Sequence, residues 1–272
     1  VSGVEVGTEL TWRHADDRKL PRIIVINRMD RENANFGKAL DSIREIFGTN
    51  AVAAQLPIGE GDKFRGVADI IHMKAFIWSD ASGKNVAESP IPDELADAAG
   101  ELREKLIEYA AESDEELLNK YLEGEELTQE EFERGLATGV ADGSVVPVFC
   151  ASGLRMVGVT PLMDSIVALL PSPVAHGAAM GHLPDSEDQI ERRPDEAEPF
   201  SALVFKTMAD PYVGKITMFR IYSGVVKSDS QVYNASKDRV ERFGQVFLIK
   251  GKQQIAVAQV GAGDIAGVAK LS

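Results

Sequence analysis

The sequence is short of cysteine, of long apolar runs and of basic residues. With Cys150 as its one cysteine in 272 residues, it excludes an internal disulfide framework and any Cys-based zinc cluster. His14, His72, His176 and His182 fall at no metal-ligand spacing, so a metal held by protein side chains alone is not expected. No apolar stretch approaches the roughly 18 to 20 residues that span a bilayer, and the N-terminus lacks the basic-then-apolar layout of a signal peptide. No membrane partner and a cytoplasmic location are therefore expected. Aromatics make up only 7% of the chain, and Trp12 and Trp78 are expected to pack rather than to stack on RNA.

Lysine and arginine number 29 against 43 acids, a net charge of −14, which argues against a surface that coats nucleic acid. The excess is concentrated. Between Asp93 and Glu133 stand 16 acids and 3 bases, Arg103, Lys105 and Lys120. Such a run reads as a solvated helical face or as a surface that attracts a basic partner. The remaining composition, 44% apolar and 26% charged, is that of a chain able to bury a core, and its length fits about two domains at ~150 residues each.

The first part reads as α/β. Thr8 is placed to cap a helix over Glu9 to Arg18, with Trp12 and Ala15 on one side and Pro21 as its stop. The β-branched run Ile23 to Ile26 predicts a strand buried on both faces of a parallel sheet. After Asn27-Arg28-Met29-Asp30, the apolar positions Phe36, Leu40, Ile43, Ile46 and Phe47 predict a helix that Gly48 ends. Ser144 to Cys150 predicts a second strand, followed by a helix with Thr160 as cap and Pro161 at its first position. In open α/β sheets, ligands sit at the loops beyond such strand ends.

Between these strands, about residues 50–143, the pattern predicts an inserted α+β module: extended stretches Val52 to Ile58 and Gly66 to Trp78, then acidic helices. Ser113 with Glu116 and Thr128 with Glu131 fit the capping box. Leu102, Leu106, Tyr109, Leu117, Leu118 and Tyr121 supply one apolar face. The first domain is expected over 1–175, a proline-rich linker over 176–198, and a small closed β-barrel over 199–272. The barrel's predicted strands are Ser201–Lys206, Ile216–Tyr222, Gln231–Asn234, Arg239–Ile249, Gln254–Val260 and Asp264–Ala269, with turns at Asp210-Pro211, Ser223-Gly224, Lys250-Gly251 and residues 261–264.

Asn27-x-x-Asp30 beyond a buried strand has the chemistry of a guanine-reading loop. One carboxylate accepts from both N1–H and the 2-amino group of guanine, neither of which adenine offers there. The Asn27 amide can bridge N7 and neighbouring backbone, and the Arg28 stem can lie against the base plane. Ser152-Gly153-Leu154, beyond the second strand, offers a backbone N–H to guanine O6. A four-residue pattern is weak by itself, and the alternative, in which Asn27 and Asp30 cap the following helix, stays open on these residues.

The motifs resemble those of translational GTPases, above all elongation factor G. The resemblance rests on Asn27 to Arg31, on Gln55-Leu56-Pro57-Ile58-Gly59 with Phe64 to Asp69, and on Ser152-Gly153-Leu154. It continues through Gly158-Val159, Leu169 to Pro173, Phe205-Lys206, Met208 to Lys215, Tyr222-Ser223-Gly224 and Gly263-Asp264. It implies a partial P-loop GTPase-type parallel sheet with an α+β insert, followed by the translation-factor β-barrel domain II. It further implies guanine contacts from Asn27, Arg28, Asp30, Ser152, Gly153 and Leu154, and GTP or GDP with Mg²⁺ in the parent. The ribosome is the implied partner, with the acidic insert towards its stalk. Family members usually carry Lys at position 28 and Ala at position 153; Arg and Gly retain the stacking stem and the backbone donor.

The resemblance also implies what is not in these residues. The family's phosphate loop ending Gly-Lys-Ser or Gly-Lys-Thr, its switch Thr and its Asp-x-x-Gly turn with the water-positioning His are absent. The chain is therefore expected to be a central fragment, with no catalytic residue and no GTP hydrolysis of its own, binding guanine nucleotide weakly or not at all. Its parent is expected to couple GTP hydrolysis to ribosomal translocation. The other readings are a non-catalytic or regulatory ribosome-binding module, or a related recycling, release or protection factor.

Overall fold

Helices and strands alternate from the start of the chain, as the apolar periodicity requires. The computed structural model describes all residues except 1, 49, 80–84, 184–185, 211–213, 252, 270 and 272, and separates into two units, Val1–Pro171 and Ser172–Ser272. The first runs α1 (Val6–Asp17), β1 (Ile24–Ile26), α2 (Phe36–Phe47), β2 (Ala51–Ala53), β3 (Gln55–Ile58), a 3-10 turn (Gly61–Lys63), β4 (Gly66–Asp69), β5 (Lys74–Trp78) and β6 (Val86–Ser89). It continues with α3 (Asp93–Glu112), α4 (Glu115–Leu122), α5 (Gln129–Asp142), β7 (Val146–Cys150) and α6 (Val159–Leu169).

A parallel sheet, ordered β1-β7-β2, pairs Ile26 with Cys150 and Ala53 with Val148. Every residue of central β7 is buried. Pro147 is tolerated in it because its side of the strand faces β1, whose ladder begins one residue later at Ile24 and Val148. The expectation that β1 is buried on both faces is corrected. It is an edge strand of the sheet, and Val25 is 37% exposed. One core cluster joins Ile26, Met29, Phe36, Leu40, Ile43 and Cys150 to Phe64, Val67 and Trp78. Trp12 stacks on Phe47 with centroids 4.3 Å apart.

Several local expectations differ in their caps. Helix α1 begins at Val6 with Glu5 as N-cap, and Thr8 is the third residue of its capping box. Asn35 caps α2, and Gly48 ends it. Ser113 is the C-cap of α3, while Asp114 caps α4 by accepting from the amides of Glu116 and Leu117. A carboxylate one residue nearer the helix fills the role assigned to the Ser113 hydroxyl, which instead donates to the carbonyls of Ala110 and Gly135. The Thr128–Glu131 box is present on α5. Gly158, in the left-handed region at φ 79°, occupies the N-cap of α6 in place of Thr160. A Cβ there would come within 2.7 Å of the Cys150 carbonyl oxygen.

The stretch expected as one extended run, Val52 to Ile58, divides between two sheets. β2 belongs to the parallel sheet, while β3 opens a four-stranded antiparallel sheet, β3-β4-β5-β6. Helices α3 and α5 cross closely at Gly135, where any Cβ would collide with the Ala110 carbonyl oxygen. Arg103 from α3 donates to the Ile71 carbonyl and to Gln129 Oε1, and its guanidinium lies 3.9 Å from the Phe132 ring centroid. Burial lowers its pKa from the ordinary value, and Asp69 and Glu133 partly offset that.

The second unit begins with α7 (Pro173–His176) and the hairpin of β8 (Ala179–His182) and β9 (Gln189–Arg192), within the proline-rich stretch. There follow β10 (Ser201–Asp210), β11 (Gly214–Ser223), β12 (Val225–Lys227), β13 (Gln231–Asn234), β14 (Arg239–Arg242), β15 (Val246–Lys250), β16 (Gln253–Val257), β17 (Gln259–Gly261) and β18 (Ile265–Ala269). The described ladders are a five-stranded antiparallel sheet, β10-β11-β18-β15-β16, and two two-stranded ones, β12-β17 and β13-β14. Their core is Phe219, Ile221, Val226, Phe243, Val246, Val260, Ala266 and Val268. The runs Arg239–Ile249 and Gln254–Val260 each break into two strands. Pro184 and the Pro211-Tyr212-Val213 part of the 208–215 motif lie outside the described residues.

Candidate functional site: two loops beyond the parallel sheet

The loops after β1 and β7 are stitched together by backbone and side chain. Ala151 donates its N–H to the Ile26 carbonyl at 3.0 Å, and Met29 donates to the Ala151 carbonyl at 3.2 Å. Met29 is only 1% exposed, so its side chain anchors the first loop in the core. Asn27 Oδ1 accepts from Arg28 N at 2.7 Å and from Gly153 N at 3.0 Å. Two donors fix the amide's orientation and leave Nδ2 free of both contacts. Arg28 is exposed, with φ 63° in the left-handed region.

Asp30 is buried at 7% exposure. Its nearest cation is Arg155, whose Nε lies 3.9 Å from Oδ2, and the same guanidinium reaches Asp62 at 3.7 Å. Neither Asn27 nor Asp30 caps α2, because Asn35 accepts from the Lys38 amide there at 2.8 Å. The helix-capping alternative for the motif is thereby removed.

Ser152 is fully buried; its N–H donates to the Val157 carbonyl at 2.9 Å, and its Oγ accepts from the Arg155 amide at 3.1 Å. These bonds curl residues 152–157 into a tight loop. The Gly153 N–H is taken by Asn27, whereas Leu154, 81% exposed, carries an amide with no protein partner among the described residues. A Cβ on Gly153 would meet the Asn27 amide at 3.6 Å, an ordinary contact, so Ala fits there as well. All six residues singled out in the sequence thus fall on two adjoining loops.

Sequence reasoning overlooked Arg155, although a base directly after the second loop is a signal for a partner to Asp30. It also read Gln55 and Gly59 only as part of a resemblance. Cys150 is fully buried, and burial pushes its thiol well above the ordinary range. A cleft of about 570 Å³ lined by Asp69, His72, Glu133 and Asp164, among others, shares no residue with the two loops. No described helix is long and apolar enough to cross a membrane.

A family model described as the GTP-binding domain of elongation factor Tu matches residues 1–172. The chain belongs to the elongation-factor family of translational GTPases. A second model, domain 2 of elongation factor G, matches residues 199–272, which makes this elongation-factor chain elongation factor G-like. A crystal structure of a protein from Thermus thermophilus is similar at 31% identity and TM-score 0.80, over 99% of this chain. The chain spans 37% of that protein's length.

Proposed function

We propose that this chain carries the guanine-recognition half of a GTP-binding domain, in an elongation factor that couples GTP hydrolysis to ribosomal translocation. The observation that carries the reading is the Asn27–Gly153 hydrogen bond, which holds two loops as one surface beside a buried carboxylate not engaged in helix capping. Asp30 accepts from N1–H and the 2-amino group of guanine, with the Arg155 guanidinium beside it, 3.9 Å from Oδ2. Asn27 Nδ2 donates to N7, the Leu154 amide is the free donor for O6, and the exposed Arg28 stem covers the base. Leaving a buried carboxylate half-paired with adenine costs several kcal/mol, enough for discrimination of about a hundredfold or more.

Magnesium accompanies GTP in such enzymes, as the family resemblance implies. Among the described residues no group of three or more His, Cys, Asp or Glu could hold a metal ion. The described side chains therefore supply no ligand set that would hold that ion by itself. The acidic face of α3 to α5 fits a basic partner, which in this reading is the ribosomal stalk. Calorimetric titration with GDP and ADP, on the chain and on Asp30→Asn, tests the base site. Any binding of GDP is expected to be weak, selective over ADP and lost in the variant; equal binding of both nucleotides overturns the reading.

A further inference from the structure

The segment from β3 to the 3-10 turn makes bonds to both base loops that secondary structure alone does not require. In β7, even-numbered residues direct their backbone groups toward β2: the Val146 amide donates to Asn50, and the Val148 carbonyl accepts from Ala54 at 2.9 Å. The next donor on that side is the Cys150 N–H. Its ladder partner would be the Ala54 carbonyl, but the chain has turned there into the antiparallel sheet, and that carbonyl accepts from Ile70 at 3.0 Å. The side chain of Gln55 takes the vacant place, its Oε1 accepting from Cys150 N at 3.4 Å. Gln55 is fully buried, and its Nε2 has no hydrogen-bond partner among the described residues. A buried amide with an unpaired donor is costly, so its presence is accounted for by the acceptor it supplies.

The other loop is held from the same segment. The Gly61 N–H donates to the Met29 carbonyl at 2.9 Å. Glu60 Oε1 accepts from Phe36 N at 3.0 Å, in the first turn of α2, where a carboxylate is also favoured by the helix dipole. The Gln55 bond fixes the start of the second base loop, since Cys150 immediately precedes Ala151-Ser152-Gly153; the Gly61 bond reaches Met29, inside Asn27 to Asp30; and the Glu60 bond fixes the α2 entry that follows that loop.

We propose that Gln55 and Glu60 are positioning residues of the guanine site, acting through the backbone of β7 and of the α2 entry rather than by touching the base. The proposal rests on the guanine reading for its purpose but not for its geometry. The test compares Gln55→Met, which keeps the side-chain length and removes the acceptor, and Glu60→Ala, with Glu60→Gln, which keeps an acceptor oxygen. Amide hydrogen exchange in the 272-residue chain is read residue by residue, alongside titration with guanosine and inosine diphosphates.

The amide that loses its acceptor, Cys150 in Gln55→Met and Phe36 in Glu60→Ala, is expected to exchange about tenfold faster, and the base-loop amides positioned through it, Gly153 and Met29 respectively, are expected to speed with it. Glu60→Gln should behave as the parent does, and amides of α3 to α5 should be unaffected in all three. A merely structural role would speed exchange throughout the unit, and that result, or unchanged Gly153 and Met29 amides, overturns the proposal. If exchange changes as expected while the parent chain shows no preference for guanine over hypoxanthine, the guanine reading fails and the loop positioning stands. If the preference exists and narrows in Gln55→Met and Glu60→Ala but not in Glu60→Gln, both are upheld.

Discussion

Asn27 and Gly153 are 126 residues apart in sequence and joined by a 3.0 Å hydrogen bond from the glycine amide to the asparagine Oδ1. The bond makes one surface of two loops, and it sets which groups remain for a ligand: the Asn27 Nδ2, the Asp30 carboxylate and the Leu154 amide. Replacing Asn27 by Ala is expected to lower stability by about 1 kcal/mol, the net worth of an ordinary hydrogen bond. Denaturant titration followed by circular dichroism measures the loss, and an unchanged midpoint contradicts it.

Asp30→Asn presents an amide where guanine offers two donors, so one donor meets another. The weak GDP binding expected of this chain should fall below detection, while the fold persists because Asp30 caps no helix. Calorimetry with far-ultraviolet circular dichroism as the folding control checks both halves of the statement.

Turnover should be absent from the 272-residue chain, because no phosphate-cradling Gly-Lys-Ser or Gly-Lys-Thr occurs in its sequence. Phosphate release from GTP is expected at the buffer background. Single-turnover release above that background by the purified chain would refute this.

Gly135 lies where α3 and α5 touch, and a methyl group there collides with the Ala110 carbonyl oxygen. Gly135→Ala is therefore expected to destabilise the helical insert by about 1 to 3 kcal/mol, although alanine favours helix elsewhere. Thermal unfolding of the helical signal decides; an increase in melting temperature would show that the helices separate without cost.

Glu131 gives the insert a defined acid sensitivity. Lys120, the largest influence, together with the Thr128 backbone and hydroxyl, lowers its carboxyl to about 2 from an ordinary value of 4.5. A depressed folded value means that the contribution is complete above about 4.5 and is lost as pH falls toward 2. Glu131→Gln should flatten that part of the stability profile and leave neutral pH behaviour otherwise similar in shape. Acid titrations of both proteins, followed by the helical signal, compare the slopes.

Local pattern was enough to announce α2 and β7, each through its apolar run, and the start of α5, through its capping box. The same holds for Asn27, Asp30 and Ser152-Gly153-Leu154, whose chemistry is visible in the residue types. Helix α2 ends at Gly48 and helix α5 begins at the Thr128–Glu131 box, where the sequence places them. Misread features had close local competitors: the Asp114 carboxylate caps α4 in place of the Ser113 hydroxyl, and the N-cap of α6 falls two residues before Thr160, at Gly158 in the left-handed region.

What the sequence determined by itself is therefore the set of elements and the chemistry offered at the strand ends. Tertiary structure decided which of those groups are free. The Gly153 amide is consumed by Asn27, Asp30 is released from helix capping by Asn35, Arg155 faces Asp30, and Gln55 replaces a backbone carbonyl diverted to another sheet. The physical reason is that each of these is a competition among donors and acceptors brought together from up to 126 positions away, and no local pattern records its outcome.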